Sequence, residues 1–72
     1  MNKTTITVDS ITYAIKLKKL LNRKGIESEL TKVSRKENQG CTHGVIIERN
    51  DLFSAISIMR EKGIDYGVID QA

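Results

Sequence analysis

The segment TTITVDSITYAIKLKKLLNRKGI, residues 4–26, decides the fold because its hydrophobic period changes partway along. TTITV alternates threonine with isoleucine and valine, which is the two-residue period of a half-buried strand. After Asp9 or Ser10, either of which suits a helix N-cap, apolar residues recur at helical spacing until Gly25, a typical helix stop. The stripe predicted to face the core comprises Tyr13, Ala14, Leu17, Leu20 and Leu21.

A second segment, VIIERNDLFSAISIMREKGI (residues 45–64), repeats this strand-then-helix pattern. Asn50 or Asp51 suits its N-cap and Gly63 its end, and both predicted helices finish in a glycine-isoleucine pair. Its predicted core stripe comprises Leu52, Ala55, Ile56 and Met59.

Two further strands complete the chain. IESELTKV (residues 26–33) alternates with more charge, as edge strands do, and IDYGVI (residues 64–69) is the last predicted strand. The order β-α-β-β-α-β predicts an α+β protein, the ferredoxin-like βαββαβ sandwich, with a four-stranded antiparallel sheet and two helices on one face. We therefore predict a single domain over residues 1–72, with dimerisation as one way to cover the other sheet face.

The amino-acid composition indicates a globular protein. Of the 72 residues, 39% are hydrophobic and 29% charged, an ordinary globular balance. The N-terminus lacks the apolar segment of a secretory signal and no run approaches the roughly 20 residues of a membrane span, so we predict a cytoplasmic protein without a membrane contact. The net charge of +3 is explained by lysines spread along the first helix.

The only cysteine, Cys41, lies in ENQGCTHGVIIE (residues 37–48), at the start of the most apolar run. A lone cysteine excludes an internal disulfide. In the predicted topology Cys41 lies at the same end of the sheet as the N-terminus of the first helix, whose partial positive charge favours a thiolate. The turn after Gly63 comes to that end too.

Several neighbours are predicted to support such a thiolate. His43 would share a strand face with Cys41 and exchange its proton, and Gly44 would leave the backbone open to a ligand or partner chain. The full predicted supporting set is His43, Gly40, Arg35, Lys36 and Ser10. A lone cysteine at a strand start is, from the residues alone, more often a small buried side chain without a chemical role. One cysteine and one histidine supply too few ligands for a metal site, so none is predicted.

The order and spacing of these features resemble the bacterial selenium/sulfur (Se/S) carrier protein-like family. The resemblance covers nearly the whole chain, through ITVDSITYAIKLKKLL, the polar loop leading to Gly40-Cys41, and EKGIDYGVI. It implies that Cys41 holds sulfur or selenium as a persulfide or selenenylsulfide between donor and acceptor proteins. The family commonly follows its cysteine with a small residue, whereas Thr42 and His43 stand here, which leaves open whether His43 tunes the thiol.

The sequence also allows functions other than a carrier. The alternative is a small dimeric ferredoxin-like binding or regulatory module with a structural cysteine. RNA binding on this fold stacks bases on aromatics of the central strands, but TTITV and GVIIE carry none, which argues against a nucleic-acid partner. No phosphate loop or catalytic triad is evident, so we predict neither an enzyme nor a cofactor.

Overall fold

The computed structural model describes residues 2–33, 43–67 and 69–70. The elements in chain order are β1 (Lys3–Val8), α1 (Ile11–Arg23), β2 (Ser28–Lys32), β3 (His43–Glu48), a 3-10 turn (Arg49–Asp51), α2 (Leu52–Lys62) and β4 (Ile69–Asp70). The predicted α+β class, with two helices and an antiparallel sheet, is confirmed. Four residues of the predicted site lie outside the described residues: Cys41, Gly40, Arg35 and Lys36.

The strand β3 lies between β1 and β2 and pairs antiparallel with both. The β1–β3 register places Val8 opposite His43, and the β2–β3 register places Lys32 opposite the same histidine. These three residues share one end of the sheet, termed here the His43 end. The opposite end, where Lys3 lies opposite Glu48, is termed the Lys3 end.

The last strand is shorter than predicted. Residues 64–67 of the predicted strand over residues 64–69 have no strand geometry, and β4 pairs antiparallel with Thr5 and Ile6 on the side of β1 away from β3. Asp65 and Gly67 belong to residue types that are depleted in strands, which accounts for the late start. The structure therefore gives three longer strands, and a full fourth strand of the ferredoxin-like sheet is not confirmed.

The hydrophobic core lies between the sheet and the two helices. Alternate residues of β1 and β3 point to one face and are buried there: Ile6, Val8, Val45 and Ile47. The helices cover that face with Ala14, Leu17 and Leu21 from α1 and Ala55, Ile58 and Met59 from α2.

The predicted core stripes are wrong at their margins. Tyr13 is 43% exposed because it lies in the first turn of α1, at the edge of the stripe. Ile58 was not predicted to be buried, yet it lines the groove between the helices together with Leu20. The predicted stripe contains the residues of each helix that face the sheet, and this contact between the two helices lies outside it. In the described part of the chain, no helix is long and apolar enough to cross a membrane.

The two glycine-isoleucine pairs end the helices by the same mechanism. Gly25 and Gly63 take left-handed φ angles of +80° and +69°, which glycine adopts without steric cost. The N–H of each following isoleucine, Ile26 and Ile64, donates to a helical carbonyl five residues earlier at 2.9 Å. This is the Schellman motif, and both isoleucines are buried beneath it. The internal repeat in the sequence is therefore a repeated helix ending.

Candidate functional site

Four described segments meet at the His43 end. β1 and β2 finish there, β3 begins there, and α1 begins at Ile11, three residues after Val8 ends β1. The segment after α2 reaches the same end, where the Gly67 N–H donates to the Thr7 carbonyl at 2.8 Å. Of the predicted site residues, the two that the structure describes, Ser10 and His43, both lie at this end.

The N-terminus of α1 is capped by Ser10. Its backbone is extended (φ −152°, ψ 155°), and its Oγ accepts a hydrogen bond from the Tyr13 N–H at 3.3 Å. The first bond within the helix runs from the Ala14 N–H to the Ser10 carbonyl at 3.1 Å, so the N–H groups of Ile11 and Thr12 precede the helical ladder. The first turn contains no acidic residue. The positive end of the helix dipole is therefore not neutralised from within that turn.

His43 is the first residue of β3 and is half-buried. By strand alternation its side chain lies on the face of Val45 and Ile47, which is the face that the helices cover. Lys32 lies opposite it in the neighbouring strand and brings an ammonium group to the same end. Sequence reasoning missed Lys32, because a ten-residue connector separates it from His43 and leaves the β2–β3 register undetermined by the sequence.

The prediction that Gly44 leaves the backbone open is wrong. Gly44 is buried in β3, and a Cβ built on it would stand 2.9 Å from Thr5 Cγ2, 3.2 Å from the Ile6 carbonyl oxygen and 3.3 Å from Val33 Cγ1. The space beside this glycine is thus filled by side chains of β1 and of the residue after β2. Gly44 therefore makes room for close packing and does not provide an open path along the backbone.

No cluster of metal ligands marks the described part of this end. Among residues 2–33, 43–67 and 69–70 there is no group of three or more His, Cys, Asp or Glu that could hold a metal ion. A surface depression of about 300 Å³ lies at the Lys3 end and is lined by Lys3, Asn22, Glu27, Ser28, Glu29 and Glu48. With three glutamates and one lysine, its lining is unsuited to a thiolate or another anion.

A family model described as "Putative Se/S carrier protein-like" matches residues 3–69. The match takes in both helices, strands β1 to β3 and the position of Cys41. It is the family that the sequence resembles. No curated protein and no solved structure matches the chain.

Proposed function

We propose that the protein is a chalcogen carrier, starting from the fact that the chain belongs to the Putative Se/S carrier protein-like family. Cys41 would hold the sulfur or selenium atom, because it is the only cysteine in the sequence and a carrier of this kind needs a thiol. Family membership over residues 3–69 is the observation that carries the proposal. The partners would be one protein that donates the chalcogen and another that accepts it.

The His43 end supports this assignment electrostatically. Only Thr42 separates Cys41 from His43, and two peptide units reach no further than about 7–8 Å between Cα atoms. The N-terminus of α1, with its dipole and the Ser10 hydroxyl, lies at the same end. A helix N-terminus and nearby cations both lower the pKa of a thiol. In the proposal, Lys32, Arg35 and Lys36 add positive charge, and Gly40 gives the chain freedom before the thiol.

The transfer is redox-neutral. The Cys41 thiolate attacks the outer sulfur of a donor persulfide, the new S–S bond forms as the donor's own S–S bond breaks, and the donor leaves as a thiolate. The outer sulfur keeps its proton as it moves to Cys41, which becomes a persulfide. An acceptor thiolate then attacks that outer sulfur and releases the Cys41 thiolate. Selenium follows the same path in the place of the outer sulfur.

We further propose the ferredoxin-like assignment for the fold. The strand order β2-β3-β1-β4, antiparallel throughout, is the order that this architecture requires, and it supports the assignment although β4 is short. The sheet face away from the helices carries no aromatic side chain from β1 or β3, which supports a protein partner over RNA. The proposal also holds the protein to be cytoplasmic, without a cofactor, and a carrier instead of an enzyme.

The direct test is chalcogen loading followed by intact-mass spectrometry. Native protein incubated with glutathione persulfide should gain the mass of one sulfur atom and lose it again on treatment with a thiol reductant. Cys41→Ser should keep the far-ultraviolet circular dichroism of the native protein and gain nothing. Sulfur uptake by Cys41→Ser, or uptake by the native protein only after denaturation, would refute the carrier function.

The alkylation rate of Cys41 as a function of pH tests the chemistry behind the proposal. We expect the native protein to react with iodoacetamide with an inflection below the free-thiol pKa of about 8.5, and the denatured protein to serve as the reference. Coincident native and denatured profiles would mean that the His43 end does not stabilise the thiolate. A native thiol that resists alkylation at every pH would support the structural cysteine of the alternative binding module.

A further inference from the structure

Three large apolar side chains are exposed along one side of the molecule. Leu30 of β2 is 40% exposed although it points toward the helices, and Ile11 and Ile15 of α1 are 44% and 39% exposed. Single exposed apolar residues are ordinary, but a contiguous group marks an interaction surface. These three residues are referred to below as the β2-edge patch.

The three members of the β2-edge patch lie together. The Ser28 hydroxyl of β2 is 3.3 Å from the side-chain amide of Asn22, which places that side of α1 over β2. Ile15 precedes Asn22 by seven positions and Ile11 precedes it by eleven, spacings that return to the same side of a helix. Leu30 follows Ser28 by two positions and so shares its face of the strand.

The outer backbone of β2 is also unpaired within the described part of the sheet. Among the strands that the structure describes, β2 pairs only with β3, so its outer row of N–H and C=O groups faces away from the sheet. Such an edge is a template for another strand. β2 carries Glu29 in its first half and Lys32 at its end, and Glu27 precedes it. In an antiparallel second copy paired about Leu30, Glu29 lies opposite Thr31 and Lys32 lies opposite Ser28, whereas a parallel copy in register would place each of these charges directly opposite its like.

We propose that two copies of the chain pair β2 with β2 antiparallel, about a two-fold axis at Leu30. This register places Leu30 opposite Leu30 of the partner subunit and keeps both helical layers on the same side of a continuous sheet. Because α1 packs mainly on β2 and β3 and less on β1, we place its axis about half a strand spacing inside β2. With strands about 4.8 Å apart, the two α1 axes come to lie about 10 Å apart, a normal distance for packed helices. Ile11 and Ile15 are then covered by the partner's α1.

Sedimentation equilibrium over a range of concentrations tests the dimer. The native protein should have twice the 8.1 kDa mass of the chain, and Leu30→Glu should be a monomer with native circular dichroism. Phe53→Glu is the matched control and should stay dimeric. Phe53 is 90% exposed, and it lies about 200° around α2 from the buried Ala55, so it faces away from the core. Ile15→Glu should also be monomeric. Because this substitution lies in α1 and leaves β2 unchanged, it tests the dimer even if Leu30→Glu does not fold.

The register has its own test in the Cys41→Ser background. Leu30→Cys should crosslink two subunits on mild oxidation, because residues at the two-fold axis approach within disulfide distance, and Phe53→Cys should not. A monomeric native protein at high concentration would overturn the proposal. So would a dimer that survives both Leu30→Glu and Ile15→Glu, or one that Phe53→Glu dissociates. A dimer without the Leu30→Cys crosslink would overturn the register. Neither the sedimentation nor the crosslinking experiment measures sulfur loading on Cys41, so their outcomes are independent of the proposed carrier function.

Discussion

Replacement of Gly44 by alanine tests whether this glycine serves packing or ligand access. The added methyl group would lie 2.9 Å from Thr5 Cγ2 and 3.2 Å from the Ile6 carbonyl oxygen, and real Cβ contacts are almost never as short as the first. Overpacking of this kind costs about 1–3 kcal/mol, while the lower backbone entropy of unfolded alanine returns about 0.5–1 kcal/mol. We expect Gly44→Ala to lower the free energy of unfolding by about 1–2 kcal/mol.

Urea denaturation followed by circular dichroism measures this loss. A domain of 72 residues is expected to be stable by about 4–11 kcal/mol, so the variant should remain folded. Its unfolding midpoint should fall by on the order of 1 M urea, given the slope of about 1–2 kcal/mol per M typical of small proteins. Thr5→Ser removes the Cγ2 atom that the new methyl group meets. The cost of Gly44→Ala should therefore be smaller in the Thr5→Ser background, as a double-mutant cycle would show.

Gly63→Ala is the control for this cycle. A Cβ at Gly63 meets no atom within 4 Å, and its φ of +69° makes alanine costly by roughly 1–2 kcal/mol through backbone strain alone. That cost should be the same with threonine or serine at position 5. A neutral or stabilising Gly44→Ala, or a cost that Thr5→Ser does not reduce, would refute the packing argument. Normal folding of Gly44→Ala with lost sulfur uptake would instead restore the ligand-access role.

Other variants separate the roles of residues at the His43 end. Ser10→Ala should lower stability by about 1 kcal/mol through loss of the N-cap, whereas Ser10→Asp should keep the cap yet slow Cys41 alkylation by its negative charge; urea midpoints and alkylation rates together check both. His43→Gln should leave the fold intact and slow alkylation at neutral pH several-fold, and an unchanged rate would remove His43 from the proposed site. Ile26→Val should cost about 0.5–1.5 kcal/mol in urea denaturation, since this isoleucine is buried at the end of α1; no loss would contradict the Schellman packing.

Local chemistry explains what the sequence predicted well. The change from a two-residue to a helical period places β1 and α1 within a residue or two of their observed ends, because each period reflects burial on one face. The Ser10 cap and the stop at Gly25 follow from the backbone groups that a helix leaves unpaired at its ends. These features depend on neighbours in the chain, and such neighbours are visible in the sequence.

The wrong predictions depend on distant neighbours instead. In the sequence Gly44 looks like a flexible position beside the cysteine. Only the pairing of β3 with β1 shows that its missing side chain makes room for the methyl group of Thr5. Lys32 joins the His43 end through pairing across a long connector, which no local pattern encodes. The same holds for Ile58, whose burial follows from the contact between α1 and α2.

The proposed dimer and the proposed carrier site should act independently of each other. In the Leu30-centred register, the antiparallel pairing sends the two His43 ends in opposite directions along the strands. Each His43 lies one strand inward from β2 and, through Lys32, two residues from the axis. The two His43 Cα atoms would then be about 20 Å apart, from strand spacings of about 4.8 Å and rises of about 3.4 Å per residue. At physiological salt the screening length is about 8 Å, so the charges of one site contribute little at the other. Monomeric Leu30→Glu should therefore take up sulfur from glutathione persulfide at the native rate per chain, and a slower rate in a folded variant would show that the subunit contact reaches Cys41.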